Sequence, residues 1–360
     1  MQPGRIRLDT GRRRLLGWGA AYPGAAVDSA ALCALIEDGF GVKARRRGRI
    51  IATKLGVHTR HLCRDFAQAH EAPRAGARNP ELAAQAMQQA LCRAGVVADG
   101  LSYLISHTTT PATWLPGGSA DIARRLGHTG AHMELRQACT GFANALQIAF
   151  AMTQMPGAAP VGIVGVETGS VYFDPQSLHT RPEQWVNFLQ MGDGAAAVVI
   201  GPDEAGASGP FVTHPYFGQC QHAPTPGLCL KSGGSDAAFV SAGNLHFEHH
   251  YDGVLTHGLA LLEFGRQVLA RHNLVVQDAA WVVPHQASGA VAPWLARAWQ
   301  LPAHRVCAHA ATVGNLGSAS IWAALDHLMG QREAWDGTTA LFLGAEATQY
   351  SYGGFALALL

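Results

Sequence analysis

Short apolar runs, separated by glycine, proline and polar residues, follow one another along the whole chain. By their length and punctuation they predict strands at 15–21, 102–107, 132–138, 161–167, 194–200, 211–216, 280–285, 304–308, 339–344 and 354–360. Apolar residues at helical spacing between them predict helices over 27–36, 80–95, 118–126, 141–154, 254–272, 288–300 and 317–329. This alternation predicts a layered α/β protein.

The two halves of the chain repeat one another. The strand ending at His107 leads through a helix and a second strand to Cys139, and the strand ending at His285 leads in the same way to Asn315. The sequence Gly-Val-Glu-Thr at 165–168 is matched by Gly-Ala-Glu-Ala at 344–347. A duplication with related halves at 1–205 and 206–360 is therefore predicted.

Composition excludes several classes of protein. The 360 residues are 48% hydrophobic and 14% charged, and 26 basic residues balance 25 acidic ones. With a net charge of +1 there is no overall field to bind nucleic acid or an acidic membrane. No apolar run reaches the ~20 residues that span a bilayer. Seven irregularly spaced cysteines in a long chain favour reduced thiols, and we expect a cytoplasmic protein.

The arginine-rich start has two interpretations. Arg12, Arg13 and Arg14, followed by Leu15 and Leu16, resemble a twin-arginine export signal. The same residues also begin an apolar run that ends at the Tyr-Pro-Gly turn at 22–24, which predicts a first strand. We favour the strand.

Cys139 is the candidate nucleophile. It lies where an apolar strand gives way to a small-residue helix, so its sulfur is expected at the helix N-terminus. Unpaired N–H groups and the helix dipole favour a thiolate there and predict a lowered thiol pKa. A buried, inert cysteine is the commoner fate of this residue type, and we assign it to Cys33, Cys92 and Cys307.

His285 and Asn315 are candidate partners of Cys139. His285 ends an apolar strand, at the sheet edge where α/β proteins keep their sites, and Asn315 lies between glycines. Alone, the first would be a structural histidine and the second a turn residue. A duplicated fold brings all three positions to one centre, which predicts a thiol nucleophile, a histidine and an amide donor acting together.

These residues sit in motifs that resemble the thiolase superfamily, and most closely its ketoacyl-ACP synthase III condensing enzymes. The motifs are Ala-Cys-Thr-Gly-Phe at 138–142, Gly-Asp-Gly-Ala-Ala at 192–196, Pro-His-Gln-Ala at 284–287, and Gly-Asn at 314–315 with Ser-Ala-Ser at 318–320. The resemblance runs from Leu-Gly-Trp-Gly at 16–19 to Tyr-Gly-Gly at 352–354. It implies a thiolase-like α/β fold of two pseudo-equivalent halves in five layers, α-β-α-β-α.

The resemblance also implies a reaction. Cys139 would take an acyl group from a thioester, and His285 with Asn315 would bind the carbonyl of a malonyl-type unit that loses carbon dioxide and attacks the acyl-cysteine. Backbone N–H groups, one of them that of Cys139, would hold the oxyanion. The substrates would be acyl-CoA or phosphopantetheinyl carrier-protein thioesters, with no permanently bound cofactor. A homodimer is implied, and a hetero-oligomer with a related subunit remains an alternative.

The chain departs from the family pattern in two pockets. The glycine-rich loop that supplies an oxyanion N–H reads Ala-Thr-Gln-Tyr at 347–350, with Thr348 as the candidate donor, and residues other than glycine disfavour a positive φ there. Leu115, beside Trp114, replaces the usual phenylalanine that closes the acyl pocket across a dimer interface. Both departures suggest a specialised pathway enzyme.

A basic cluster could dock a carrier protein or a nucleotide phosphate, although a solvated surface explains it as well. It comprises Arg45, Arg46, Arg47 and Arg49. Histidines at 246, 249, 250 and 257 match no standard zinc motif, and no metal site is predicted.

Two other functions remain open. A Cys-His acyltransferase of the same fold would pass the acyl group to an alcohol or amine, with His285 as base. A non-catalytic partner subunit of a heteromeric synthase usually lacks its nucleophile, whereas Cys139 is present here. A thiolase is disfavoured because no cysteine follows Cys307.

Overall fold

The computed structural model describes residues 2–43, 45–68, 75–221, 226–231, 246–249, 251–335 and 337–359. Its strands are β1 (Gln2–Leu8), β2 (Arg12–Ala21), β3 (Val27–Asp28), β4 (Thr59–Arg60), β5 (Tyr103–His107), β6 (Ala131–Leu135), β7 (Val161–Glu167), β8 (Gly194–Gly201), β9 (Pro210–Gln221), β10 (Leu228–Lys231), β11 (His246–His249), β12 (Trp281–Pro284), β13 (Thr339–Glu346) and β14 (Ser351–Leu359). Its helices are α1 (Ser29–Phe40), α2 (Arg45–Leu55), α3 (Asn79–Ala94), α4 (Gly118–Leu126), α5 (Gly141–Met152), α6 (Trp185–Gln190), α7 (Tyr251–Ala270), α8 (Val291–Ala298), α9 (Ala310–Val313) and α10 (Ser320–Met329).

One large sheet organises the molecule, in the order β12-β13-β14-β9-β2-β8-β7-β5-β6, with β1 on β9. Its middle is the antiparallel pairing of β2 with β9. Outward from it, β8 and β7 are antiparallel neighbours and β7 and β5 parallel ones. In the other direction β14 and β13 are antiparallel and β13 and β12 parallel. The same succession of pairings therefore runs both ways, and the predicted boundary at residue 205 falls in the loop between β8 and β9.

Helices cover both faces of each half of the sheet and fill the space between the halves. Ala196, Val198 and Ile200 of β8 face a central core that also holds residues of α5, α10, β13 and β14. The alternate residues of β8 face α3 on the outside. α7 packs in the same way on the outer face of β13 and β14. Successive side chains of each strand thus point to opposite faces of the sheet and pack against helices on both sides. This packing gives the predicted alternation of helix and sheet layers.

The arginine-rich start is a strand, as we favoured. Arg13 of β2 is buried, and its guanidinium donates to the carbonyl of Phe150 at 2.8 Å and to the Thr153 hydroxyl at 3.1 Å. Both acceptors lie at the C-terminal end of α5, where carbonyl groups lack helical partners and attract cations. Arg13 therefore links the end of α5 to β2, in the middle of the sheet.

Several elements differ from the sequence predictions, and β1, α6, α9, β10 and β11 are among those that were not predicted. The predicted strand at 304–308 is a short 3₁₀ helix, Ala303–Arg305, followed by a single bridge from Val306 to Val282. The helix predicted over 288–300 begins only at Val291. α2 was not predicted, because its sequence is dominated by basic residues. In the described parts of the chain, no helix has the length and apolar character needed to cross a membrane.

Candidate active site

Cys139 lies in the turn between β6 and α5, two residues before the helix begins, and is partly exposed. Gly141, the first helical residue, packs directly against the imidazole of His107 at the end of β5. A Cβ at position 141 would come within 2.7 Å of the His107 Nδ1 atom. Glycine therefore allows α5 to approach β5 closely.

Glu346, the last residue of β13, binds Thr140, the residue after Cys139. Its carboxylate accepts the Thr140 N–H at 2.9 Å, the Thr140 hydroxyl at 2.6 Å and the Thr348 hydroxyl. The Thr140 oxygen in turn lies 2.9 Å from the Ser351 hydroxyl and accepts from the Gln137 amide at 3.0 Å. We call this set of residues the Glu346 network. It joins the Cys139 turn to the turn between β13 and β14.

Glu167 occupies the corresponding place at the end of β7. Its carboxylate accepts the Thr109 N–H at 2.7 Å and the hydroxyls of Thr109, Thr110 and Ser318 at 2.9, 2.7 and 2.6 Å. Burial raises the pKa of Glu167, although these four donors oppose the shift. The glutamate thus binds the segment after Asn315 to the loop after β5.

The prediction of a lowered thiol pKa at Cys139 is wrong. Desolvation raises the pKa of this thiol well above its ordinary value, and the charges of Glu346 and Glu167 raise it further. A hydrogen bond from backbone opposes them and is the smallest cause. Burial, with two nearby carboxylates, therefore accounts for the raised pKa of this thiol.

His285 follows β12, and its N–H donates to the Leu343 carbonyl of β13 at 2.7 Å. The side chain is buried, which lowers the imidazole pKa to about 4 and keeps the ring neutral at pH 7. Its Nδ1 atom is buried without a hydrogen-bond partner among the described residues. Nε2 is therefore the ring nitrogen available to a bound molecule.

Asn315 is oriented by its neighbours. Its Oδ1 atom accepts the Gly317 N–H at 2.9 Å and the Ser320 hydroxyl at 3.3 Å. Its N–H donates to the Gln190 carbonyl at 2.8 Å, which fixes the backbone. Because Oδ1 is occupied, the Nδ2 amide is left to donate outward.

Shared partners connect the segments that carry the three residues. His285 is hydrogen-bonded to β13, and β13 ends in Glu346, which binds Thr140 beside Cys139. Ser318, three residues after Asn315, donates to Glu167 at the end of β7. Cys139, His285 and both glutamates follow the carboxyl ends of strands, where open α/β sheets place their binding sites.

The pocket candidates have different surroundings. Thr348 lies in the turn of the Glu346 network. Tyr350, two residues on, is buried and has a φ of 50°, so this turn adopts the left-handed conformation that its lack of glycine was expected to disfavour. Trp114 and Leu115 are on the surface, 53% and 88% exposed, and the Arg136 guanidinium lies 5.2 Å from the Trp114 ring.

The basic cluster lies apart from these contacts, on α2, where Arg46, Arg47 and Arg49 are exposed. Of the four histidines that were considered as metal ligands, residue 250 lies outside the described residues, and His249 contacts the Asn187 side chain at 2.6 Å. Among the residues that the structure describes, no group of three or more potential ligands could hold a metal ion.

Sequence reasoning missed the two glutamates as site residues. Their matched positions were visible in the repeated Gly-x-Glu pattern, but we used that pattern only as a sign of duplication. Their contacts with Thr140 and Ser318 arise across 206 and 151 positions of the chain. A local motif therefore could not identify the hydrogen-bond partners of these glutamates.

Comparison with known families matches both parts of the chain. Residues 59–204 match the N-terminal domain of chalcone and stilbene synthases. Residues 269–359 match the C-terminal domain of 3-oxoacyl-[acyl-carrier-protein] synthase III.

Individual relatives extend this similarity. A β-ketoacyl-[acyl-carrier-protein] synthase III from Streptomyces coelicolor is 31% identical over 271 residues, covering 70% of this chain and 74% of the relative. The structure of the priming β-ketosynthase of the R1128 polyketide biosynthetic pathway is 27% identical, with a TM-score of 0.76 over 96% of each chain. A tetronic acid condensing enzyme, 23% identical, shares the fold with a TM-score of 0.82 over 97% of this chain and all of the other.

Proposed function

Because the chain belongs to the β-ketoacyl-[acyl-carrier-protein] synthase III family of condensing enzymes, we propose that it joins two thioesters through an acyl group carried on Cys139. The acyl donor and the extender would be acyl-CoA or carrier-protein thioesters, and the extender would be of malonyl type. A cytoplasmic location belongs to the same proposal, since such a site requires a reduced thiol.

In the first step the Cys139 sulfur attacks the carbonyl carbon of the acyl thioester. A bond forms from Sγ to carbon, the donor's carbon–sulfur bond breaks, and the departing thiol takes the proton that Cys139 loses. Negative charge develops on the carbonyl oxygen, and N–H groups of the Cys139 and Thr348 backbones would stabilise it. Covalent capture divides the reaction into two easier steps.

In the second step the extender loses carbon dioxide, and the electron pair of the broken bond passes into an enolate. His285, through Nε2, and Asn315, through Nδ2, would donate to the enolate oxygen. The new carbanion attacks the acyl carbon, the bond to Sγ breaks, and a β-ketoacyl thioester leaves. The departing thiolate of Cys139 then takes a proton from water, which restores the starting thiol.

The fixed orientation of Asn315 carries this proposal. Both lone-pair positions of its Oδ1 are used by Gly317 and Ser320, so the side chain can offer only donors to a substrate. A neutral His285 likewise offers a donor at Nε2 when Nδ1 is unprotonated. Two such donors suit an enolate oxygen better than the activation of an alcohol or amine, for which a histidine with a pKa of about 4 is a weak base.

Intact-protein mass spectrometry after incubation with a panel of acyl-CoA and acyl-carrier thioesters tests the first step. The protein is expected to gain the mass of one acyl group, on the peptide containing Cys139, and the Cys139→Ala variant to gain none. Adding a malonyl thioester should release a β-ketoacyl product. Release onto an alcohol or amine instead would support the acyltransferase, and no acylation by any donor would favour a non-catalytic partner subunit.

We also propose that the chain is a homodimer joined along β6. This strand ends the sheet, and its outer edge has no partner strand within the described ranges. Exposed sheet edges and exposed apolar side chains are usually covered. Leu115 and Trp114 are exposed, and Arg136, just beyond β6, lies over the Trp114 ring. A second copy would bring Leu115 to its partner's acyl pocket.

Analytical ultracentrifugation is expected to give twice the mass of the 38.0 kDa chain. Leu115→Glu should shift the population toward monomer, because a charge would enter the interface. The control is Met155→Glu, which changes a residue that is 70% exposed and far from β6 in sequence, and should leave the mass unchanged. A wild-type monomer at micromolar concentration would contradict the proposal.

A further inference from the structure

The segment that forms α2 is the most basic part of the chain. The whole chain has a net charge of +1, but residues 43–54 hold six basic side chains and no acidic one: Lys43, Arg45, Arg46, Arg47, Arg49 and Lys54. The proposed reaction uses none of them. We propose that the exposed face of α2 is a docking surface for the acidic side of an acyl carrier protein that delivers the acyl group to Cys139. This inference names a partner for the proposed function and rests on it.

One face of α2 is buried. Gly48, Ile51, Ala52 and Leu55 recur at helical spacing, and the last three pack in the cluster that α1 and α6 also form. A Cβ at position 48 would lie 2.3 Å from the Cys33 Sγ atom, so glycine allows α2 to lie close to α1. This packing fixes which side of α2 is directed away from the protein.

The opposite face carries the charge. Arg46, Arg47, Arg49 and Ile50 are exposed, Ile50 by 51%. We call these four residues the α2 face. Arg46, Arg49 and Ile50 lie at positions i, i+3 and i+4 and therefore share one side of the helix. Protein interfaces are enriched in arginine around apolar side chains, and the α2 face has this composition.

The C-terminal end of α2 borders the candidate active site. The Leu55 carbonyl accepts the Ala290 N–H at 3.0 Å, in the loop that follows His285. Gly56 and Gly289 meet at the same place, because a Cβ at position 289 would come within 2.0 Å of the Gly56 carbonyl oxygen. A macromolecule bound to the α2 face would therefore lie beside the segment that carries His285.

The helix α6 packs against α2 and connects it with both proposed enolate donors. The Gln190 carbonyl, at the end of α6, accepts the Asn315 N–H at 2.8 Å, and the Gln190 amide donates to the Ala287 carbonyl at 2.7 Å. A carrier protein brings its acyl group on a flexible phosphopantetheine arm, so it has to bind near the reaction centre. The α2 face has such a position.

The shape of the α2 face suits a protein better than a small anion. Its charges extend over about 12 Å of exposed helix, counting ~1.5 Å per residue from 46 to 54. Small-molecule sites are concave and bury most of their ligand, whereas the exposed side of a helix is convex. A row of charges on a convex surface attracts a large partner of opposite charge and accelerates its approach. Nucleic acid would gain no further attraction from a chain whose net charge is only +1.

The test compares the same acyl group on two donors, acyl-CoA and an acidic bacterial acyl carrier protein. In Arg46→Glu/Arg49→Glu, kcat/KM for loading of Cys139 from the carrier should fall about 10–100-fold at low ionic strength, through KM, because electrostatic attraction is lost. Loading from acyl-CoA should stay within about twofold of wild type, since a convex face holds little of a small ligand. An unchanged reaction with the carrier would overturn the proposal. An equal loss with both donors would also overturn it and would indicate a nucleotide phosphate site.

The matched control is Arg271→Glu/Arg332→Glu, which reverses two exposed arginines outside α2 and changes the net charge by the same amount. Both donors should load this variant as they load wild type. A loss with the carrier as large as that of the α2 variant would show a general effect of charge and refute docking on α2. Should Arg46→Glu/Arg49→Glu fail to fold, Arg46→Gln/Arg49→Gln removes the charges without reversing them. It should show a smaller loss, and no loss would equally refute the surface.

Binding of the carrier without its phosphopantetheine arm separates this inference from the proposed function. This apo carrier cannot acylate Cys139, so its affinity, measured by isothermal titration calorimetry, depends on docking alone. Weaker binding by Arg46→Glu/Arg49→Glu would support the surface in an enzyme that no donor acylates. Unchanged binding, with normal loading from the carrier, would refute the surface and leave the proposed function intact. Binding of duplex DNA or anionic vesicles to the α2 face, and none of the carrier, would also overturn the inference.

Discussion

His285→Ala is expected to remain able to form the acyl-enzyme and to lose condensation by about 10²–10³-fold, the usual cost of removing one donor from a developing oxyanion. The enolate oxygen gains its charge only after the extender has bound, so loading of Cys139 should be affected less than product release. Intact mass measures the first step and the rate of β-ketoacyl product formation measures the second. Asn315→Ala should have the same pattern, because its Nδ2 would donate to the same oxygen.

The matched control is His304→Ala, which removes an exposed histidine from the 3₁₀ helix at 303–305 and should leave both steps unchanged. Loss of acylation in His285→Ala would instead make this residue the base for loading. Because the pKa of His285 is about 4, its neutral form predominates at all higher pH values. We therefore expect no change in wild-type condensation near pH 6.5 that depends on His285.

Asp193→Ala is expected to destabilise the protein by about 3 kcal/mol or more, the usual cost of leaving buried polar groups unpaired. Asp193 is completely buried, and its carboxylate accepts the Cys63 N–H at 2.7 Å, the Ser170 N–H at 3.1 Å and the Ser170 hydroxyl. Alanine would leave all three donors without an acceptor. Urea denaturation, followed by circular dichroism, measures the change in the free energy of unfolding.

Asp203→Ala provides the comparison for Asp193. Asp203 is paired with Arg12 at 2.6 Å, but both side chains are partly exposed. Exposed ion pairs contribute about 1 kcal/mol or less, so this variant should unfold close to the wild-type midpoint. If both aspartate variants had equal stability, the Asp193 hydrogen bonds would not have the importance that we assign to them.

The elements that could be predicted are those whose bounds depend on one local feature of the sequence. β7 matches its predicted bounds of 161–167, because it is an apolar run buried on both faces. α4 matches 118–126, where helical periodicity ends at Gly127 with a φ of 72°. The apolar residues near 304–308 are buried for a different reason. Val306 and Cys307 are buried by packing beside β12 without forming a full strand.

The candidate site also has features that local motifs predict and features that depend on distant parts of the chain. The three candidates Cys139, His285 and Asn315 could be chosen from local motifs, and their segments share partners in the structure. The acidity of the thiol could not be predicted, because it depends on burial of the sulfur and on the charges of Glu346 and Glu167, which only the fold brings near it. α2 was missed because its buried Gly48, which closely approaches Cys33, lies among arginines that suggested only a charged surface.

The position of β2 in the sheet also affects synthesis of the chain. β2 lies between β8 and β9, so a strand made from residues 12–21 finds its first partner, β8, only after residues up to 201 have been translated. At ~5–20 residues per second, this takes roughly 10–40 s on the ribosome. During that time β2 has both edges unpaired, including Leu15, which is buried in the finished core. The nascent chain should therefore depend on chaperones most strongly before β8 emerges.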